Sequence, residues 1–189
     1  MEVINTEIPE VKIIVPKVFG DSRGYFMETF RSSTFKEKVA NVDFIQENES
    51  SSSYGVLRGL HFQKPPYSQG KLVRVIKGKV IDVAVDLRTD SPTYGKYVAV
   101  ELSEENKKQL WVPRGFAHGY IVLSESAIFA YKCDQYYCPD AEDGIMWNDK
   151  TINIDWKLPK EDIQTSEKDK EYKAFKSRSF YSSADFIKE

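Results

Sequence analysis

At 189 residues, with 41% hydrophobic and 13% aromatic content, the chain has the length and composition of one globular domain, expected to span residues 1–189, and not of a disordered tract. Its 27 basic and 29 acidic residues leave a formal charge of −2, which excludes a global field for nucleic acid or an anionic membrane, so any anion site must be built locally. Purely apolar stretches are only a few residues long, as at 13–16, and no basic segment followed by an apolar run opens the chain; no membrane partner is expected, and the cytoplasm is the expected location.

Short alternating or β-branched runs predict strands, in chain order, at 12–15, 25–30, 72–76, 80–87, 97–102, 110–112, 119–123 and 127–132. A short helix is expected over 33–40. Residues 71–87 read as two strands joined in a tight hairpin at Lys77-Gly78, with Gly78 supplying the positive φ of the turn. Further breaks fall at Gly20-Asp21, Asp90-Ser91-Pro92, Ser103-Glu104-Glu105-Asn106 and Pro113-Arg114-Gly115. Near the end, Ser166 is placed to cap a second helix running through Tyr172, with Asp169 at the third position. Many close strands without helices between them predict a mainly β protein, a sandwich or jelly-roll barrel with a few short helices. The segment 160–189 is expected to pack over the barrel, or to end in an exposed tail over its last dozen Ser- and Lys-rich residues.

Two cysteines are present, Cys133 and Cys138. In one extended segment over 127–137 their offset puts them on opposite faces, so two reduced thiols are expected, not a disulfide or a shared metal. The two histidines lie in related settings: His61 in G-V-L-R-G-L-H-F-Q and His118 in W-V-P-R-G-F-A-H-G-Y. Each closely follows an Arg-Gly pair, which predicts an imidazole near a guanidinium at a strand edge; the competing reading is a satisfied core histidine. Jelly-rolls that hold a transition metal converge four inward groups, usually including His-x-His and a third histidine. With two imidazoles and no His-x-His, no metal is expected. Arg23 and Arg58 each precede a glycine, and two guanidiniums facing one cavity would grip a diphosphate; surface salt bridges are the alternative.

Taken together, residues 21–28 (D-S-R-G-Y-F-M-E), 46–48 (Q-E-N), 55–63 (G-V-L-R-G-L-H-F-Q), 69–75 (Q-G-K-L-V-R-V), 113–120 (P-R-G-F-A-H-G-Y), 131–142 and 166–169 (S-E-K-D) closely resemble the dTDP-4-dehydrorhamnose 3,5-epimerase family. The resemblance runs in order over roughly residues 10–170. It implies a cupin-type jelly-roll that works as a homodimer, without metal, nicotinamide or other cofactor. The implied reaction inverts C3 and C5 of dTDP-4-dehydro-6-deoxy-D-glucose on the way to dTDP-L-rhamnose. The resemblance further implies His61 as the base, Asp169 as its dyad partner, Lys71 as the enolate-stabilising group and Tyr131 as the acid on the opposite face. Substrate contacts carry over to Arg23, Phe26, Glu28, Gln46, Asn48, Arg58, His118, Tyr137, Glu142 and Lys168. Two departures stand outside the catalytic set: Glu47 where the family often has Asp, and Tyr120 where Phe is common.

The chemistry asks for these residue types. A hydrogen beside a ketone is removed when a base meets it on one face and positive charge or donors meet the oxygen. An imidazole is substantially free base near neutrality, and a buried aspartate, expected at Nδ1, would orient it and stabilise the imidazolium. Inversion needs a second group to return a proton from the other side, and a phenol is protonated at neutral pH. Phe26 and Tyr137 are candidates to stack on the nucleobase while arginines hold the diphosphate. The alternatives are an epimerase of another keto sugar, GDP- or CDP-linked or inverted at one carbon, and a non-catalytic sugar-nucleotide-binding jelly-roll. A 3,4-ketoisomerase of similar fold is opposed by the G-L-H-F-Q and S-E-K-D blocks. The set His61, Lys71, Tyr131 and Asp169 separates enzyme from binding module, because a binder needs no base and acid on opposite faces.

Overall fold

The computed structural model describes residues 1–186. In chain order its strands are β1 (Glu2–Asn5), β2 (Lys12–Val15), β3 (Val18–Asp21), β4 (Gly24–Met27), β5 (Gln46–Ser53), β6 (Leu57–Gln63), β7 (Lys71–Lys77), β8 (Lys79–Asp86), β9 (Tyr97–Ser103), β10 (Gln109–Val112), β11 (Phe116–Val122), β12 (Ser126–Cys133) and β13 (Glu142–Gly144). Helix α1 (Ser32–Lys38) follows β4, and α2 (Glu167–Glu171) lies near the C-terminus. Six strands form one antiparallel sheet in the order β1-β2-β10-β7-β12-β5, and five form a second in the order β13-β6-β11-β8-β9. The remaining two, β3 and β4, pair only with each other.

Side-chain alternation explains how the sheets stack. Val73 and Val75 of β7, Leu110 and Val112 of β10, and Ala127 and Phe129 of β12 meet Val80 and Ala84 of β8, Val98 and Val100 of β9, and Tyr120 of β11 in one buried cluster between the sheets. Tyr120 stacks on Phe129 across this interface at 4.1 Å between ring centroids, a pairing worth about 1 kcal/mol beyond its buried area. The alternate residues of β8, Ile81, Val83 and Val85, point the other way. There the coil after β13 covers them with Ile145, Ile152, Trp156 and Phe175. Being buried on both faces, β8 reads as a near-continuous apolar run. On the outside of the six-stranded sheet, Phe35 of α1 packs edge-on against Trp111 at 5.3 Å. The result is the expected jelly-roll.

The expected hairpin at Lys77-Gly78 is not one. Gly78 does have a positive φ of 80°, but β7 belongs to the six-stranded sheet and β8 to the five-stranded one. Both strands already have neighbours on either edge, β10 and β12 for β7 and β11 and β9 for β8, so the corner carries the chain between sheets. Glu104 fastens it: the Gly78 N–H donates to Glu104 Oε1 at 2.8 Å and the Glu104 N–H donates to the Gly78 carbonyl at 2.9 Å.

The C-terminal segment differs from the expected tail as far as it is described. The Thr89 N–H donates to the Tyr181 carbonyl at 2.9 Å, the Ser183 N–H donates to Asp90 Oδ1 at 2.7 Å, and Phe186 is buried. Apolar residues spaced irregularly through the Ser- and Lys-rich stretch anchor it. Residues 187–189, the end of that expected tail, lie outside the described residues.

A Cβ at position 78 would stand 2.1 Å from the Ser126 carbonyl oxygen, in addition to the strain of the positive φ. Gly78→Ala is therefore expected to lower the unfolding free energy by about 2 kcal/mol or more, read as a shift in the urea midpoint. An unchanged midpoint would show that the corner has slack.

Candidate active site

One cavity of about 530 Å³ opens between the two sheets and is walled on one side by the C-terminal segment. Strand parity delivers its lining. On β7, Lys71 shares the inward face of Val73 and Val75; on β12, Tyr131 shares that of Ala127 and Phe129; on β11, His118 shares that of Phe116 and Tyr120. Strand β5 adds Ser50, which faces Phe129 in the ladder, as Asn48 faces Tyr131.

Arg58 and His61 of β6 both line the cavity although their odd separation would place them on opposite faces of a regular strand. The β6–β11 ladder is irregular here: His61 pairs with His118 but Arg58 pairs with Tyr120, so three residues of β6 span two of β11. Gly59 sits at this bulge, where a Cβ would come within 2.6 Å of Gly119 Cα.

His61 Nε2 lies 2.6 Å from Asp169 Oδ1. The expected contact at Nδ1 is thus replaced by one at Nε2, the nitrogen farther from the strand backbone, which a carboxylate arriving on α2 reaches first. Among the described residues Nδ1 has no hydrogen-bond partner. Helix α2 is set as its capping pattern predicts, with the Asp169 N–H donating to Ser166 Oγ at 3.1 Å. Burial works to raise the Asp169 carboxyl, but the bond to and charge of His61, with help from the Gly59 N–H and Ser166, hold it below the usual carboxylate range.

Other charges follow from burial. Desolvation presses the Lys71 ammonium down, opposed by the Cys133 sulfur and the Asp82 and Glu142 carboxylates; Lys71 makes no ion pair among the described residues. Desolvation raises the Tyr131 phenol, so it keeps its proton at neutral pH, with Asn48, its ladder partner, working in the opposite direction. Arg58 donates through Nε to Ser52 Oγ at 3.1 Å and has no carboxylate partner among the described residues. At the rim, Lys168 Nζ donates to Glu142 Oε2 at 2.5 Å; the Tyr137 hydroxyl also donates to Glu142 Oε2, and its pKa is pushed up to about 12 chiefly by that carboxylate. Gln46 Oε1 accepts from the Tyr137 N–H at 2.8 Å, and Gln46 Nε2 donates to Asn48 at 3.1 Å.

Eleven of the fourteen residues singled out from sequence are thus in or beside this cavity, and three are not: Arg23, Phe26 and Glu28 lie on or just after the β3–β4 hairpin. The Arg23 side chain is 88% exposed and paired with Asp21 at 2.6 Å, Phe26 is 69% exposed, and Glu28 pairs with Arg31. Within one chain, therefore, Arg23 and Arg58 do not face a common cavity and Phe26 does not stand beside Tyr137. The parallel drawn between the two Arg-Gly-histidine stretches also fails. Arg58 shares the cavity with His61, but Arg114 turns away to Asp134 at 2.9 Å.

Asp82 was not singled out by sequence and belongs to the site. Fully buried on β8, it receives His118 Nε2 with both oxygens at 3.0 Å, and burial raises its carboxyl. The signal was present: in V-I-D-V-A-V-D it occupies an inward position between Val80 and Ala84. Tyr172, whose ring lies 5.7 Å from that of His61, gave no such signal. Among the described residues no three His, Cys, Asp or Glu side chains gather as metal ligands.

This is a jelly-roll whose central cavity is lined by an aspartate-bound histidine on one sheet and a lysine and a half-buried phenol on the other, a class of fold and site with groups that can move a proton and hold an anion. Residues 5–177 match the family model described as dTDP-4-dehydrorhamnose 3,5-epimerase, and the chain belongs to that family. It is 57% identical over 170 residues to the dTDP-4-dehydrorhamnose 3,5-epimerase of Shigella flexneri, covering 89% of this chain and 93% of that protein. The corresponding enzyme of Methanothermobacter thermautotrophicus is 49% identical over 94% of this chain and 96% of its own length. Among solved structures, RmlC of Legionella pneumophila, a dTDP-6-deoxy-D-glucose-3,5-epimerase in complex with dTDP-4-keto-L-rhamnose, superposes with a TM-score of 0.91 at 49% identity over 94% of each chain.

The depressed Asp169 carboxyl has a stability consequence. Because its folded pKa lies below the unfolded value, its contribution is complete above the ordinary carboxylate range and is lost as pH falls through the folded value. Urea midpoints of the wild type are expected to fall between neutrality and about pH 3, and Asp169→Asn to flatten that slope. Parallel slopes for the two proteins would remove Asp169 from the linkage.

Proposed function

We propose that the chain is an isomerase that inverts C3 and C5 of dTDP-4-dehydro-6-deoxy-D-glucose, giving dTDP-4-dehydro-L-rhamnose, with His61 as base and Tyr131 as acid. The observation that carries this is the placement of His61 on the five-stranded sheet and Tyr131 on the six-stranded sheet, both lining one cavity. A sugar ring lying between the sheets meets the imidazole on one face and the phenol on the other.

His61 takes the hydrogen from the carbon beside the ketone, and the Asp169 carboxylate stabilises the imidazolium that forms. Lys71, an ammonium without an ion pair among the described residues, meets the oxygen on which negative charge develops. Tyr131, protonated because burial raises it, delivers a proton from the opposite side, so the configuration inverts. C3 and C5 both adjoin the ketone, and one base–acid pair serves each in turn as the ring shifts, once solvent has taken the proton from the His61 imidazolium and returned one to the Tyr131 phenolate. These steps need side chains only. His118, held by Asp82, and Arg58 stand beside the base to receive hydroxyl and phosphate oxygens, while Gln46, Asn48, Tyr137, Glu142 and Lys168 form the rim.

The same reading includes a homodimer. The β3–β4 hairpin exposes Val18, Phe19, Tyr25 and Phe26 and pairs with no other strand, an arrangement suited to burial against a second copy. In such a dimer Arg23, Phe26 and Glu28 would complete the partner's cavity, with Phe26 and Tyr137 stacking on the base. No helix among the described residues is long and apolar enough to cross a membrane. The free thiols Cys133 and Cys138 favour the reducing cytoplasm.

Incubation with dTDP-4-dehydro-6-deoxy-D-glucose in deuterated water is expected to show exchange at both C3 and C5 by NMR. His61→Ala should slow exchange by about 10²–10⁴-fold, whereas Tyr131→Phe should impair inversion more than exchange. Wild-type exchange in His61→Ala would overturn the assignment of the base. For the dimer, equal amounts of inactive His61→Ala and Arg23→Ala chains, unfolded and refolded together, should regain about a quarter of wild-type turnover. Mixed dimers then hold one intact site, and no recovery would place Arg23 at its own chain's cavity.

A further inference from the structure

We propose that Tyr172 is a positioning residue for His61, its ring forming the second of two contacts from α2 that hold the imidazole in one orientation. The inference rests on the reading of His61 as the base and goes beyond it by naming what fixes the ring.

His61 has an unequal pair of neighbours. In the ladder its partner on β11 is His118, which offers an imidazole, but its partner on β13 is Gly144, which offers no side chain. Tyr172 fills that slot. A Cβ on Gly144 would meet Tyr172 Cε2 at 2.6 Å and Cδ2 at 2.7 Å, along with the Leu60 carbonyl oxygen at 2.6 Å. From this position the Tyr172 ring stands edge-to-face with the His61 ring, 5.7 Å between centroids at 65°.

The two contacts share one origin. Asp169 lies within α2 and Tyr172 caps its C-terminal end three residues later, so both fall on the same side of the turn. Asp169 alone leaves the imidazole free to swing about its bonded nitrogen. A second contact against the ring removes that freedom, and placement of a base within about 0.5 Å and 10–20° of its working geometry depends on such support.

The ring and not the hydroxyl does this. The Tyr172 hydroxyl is buried without a hydrogen-bond partner among the described residues, and burial together with the Glu142, Asp169 and Asp143 carboxylates keeps it protonated. An unpartnered buried hydroxyl costs stability, so its removal is tolerated.

The test uses the full chain with labelled histidine, which gives only two imidazole spin systems, His61 and His118. In the wild type, nuclear Overhauser contacts between the Tyr172 and His61 ring protons are expected, and their absence overturns the proposal without any variant. Tyr172→Phe should keep kcat, KM and the His61 shifts, and be at least as resistant to urea. Tyr172→Leu should move the His61 ring resonances while leaving His118 in place, and lower kcat about tenfold with KM within about twofold. Unmoved His61 resonances in Tyr172→Leu, or equal losses of kcat in the Phe and Leu variants, would sink it. If His61→Ala itself retains exchange, the base assignment fails, and the ring contacts are judged by NMR alone.

Discussion

The hydrogen bond between Asp169 and His61 joins positions 108 apart in sequence and brings an irregular C-terminal segment onto the wall of a β-sandwich. Burying a carboxylate is unfavourable unless it is compensated, and here compensation is shared among the imidazole, the Gly59 N–H and the Ser166 cap. Helix α2 has only five residues, too few to persist alone, so its position is imposed by these contacts and by the packed coil around it. Pocket wall and dyad are therefore one feature. The site is complete only when the segment after β13 packs on the barrel that the strands build.

That barrel contributes a second constraint, the period of two along each strand. Inward positions of β7 and β12 run from apolar to polar, as in Val75-Val73-Lys71 and Ala127-Phe129-Tyr131, whereas on β11 His118 stands between the apolar Phe116 and Tyr120. The apolar ends fuse the sheets and the polar ends hold them apart around a cavity. Because neighbouring strands run antiparallel in fixed register, the imidazoles of His61 and His118 become direct partners, as do Tyr131 and Asn48. Functional groups scattered over more than a hundred positions are gathered by a simple rule, with the bulge at Gly59 as its one necessary exception.

Much of this was legible because alternation is a local signal. The strands 12–15, 97–102 and 110–112 appear within a residue of expectation, and the cap at Ser166 binds Asp169 as its spacing requires. The hairpin at Gly78 was misread because a tight turn fixes only local geometry, whereas the choice between pairing and crossing to another sheet is made by distant strands. Strand β5, Q-E-N-E-S-S-S-S, was missed because its inward face looks into a polar cavity, which erases the apolar half of the pattern. The bulge on β6 escaped for a related reason: Arg58 and His61 share a face only through a register shift that no periodicity encodes. Residues Arg23, Phe26 and Glu28 were singled out by motif, and geometry within one chain gives them no partner in the cavity.

The charge balance inside the cavity explains how a protein with a net charge of −2 holds an anion site. Its three carboxylates are all engaged, Asp169 with His61, Asp82 with His118 and Glu142 with Lys168. Lys71 and Arg58 are left without carboxylates among the described residues, so positive potential collects where neither cation can be quenched internally. Such an arrangement is unfavourable to the empty fold, since the Lys71 ammonium is desolvated without an ion pair. An anionic ligand relieves that penalty on arrival. In the proposed mechanism the relief is greatest when negative charge concentrates on the oxygen nearest Lys71, so the instability of the empty cavity would favour the enolate over the ketone that precedes it.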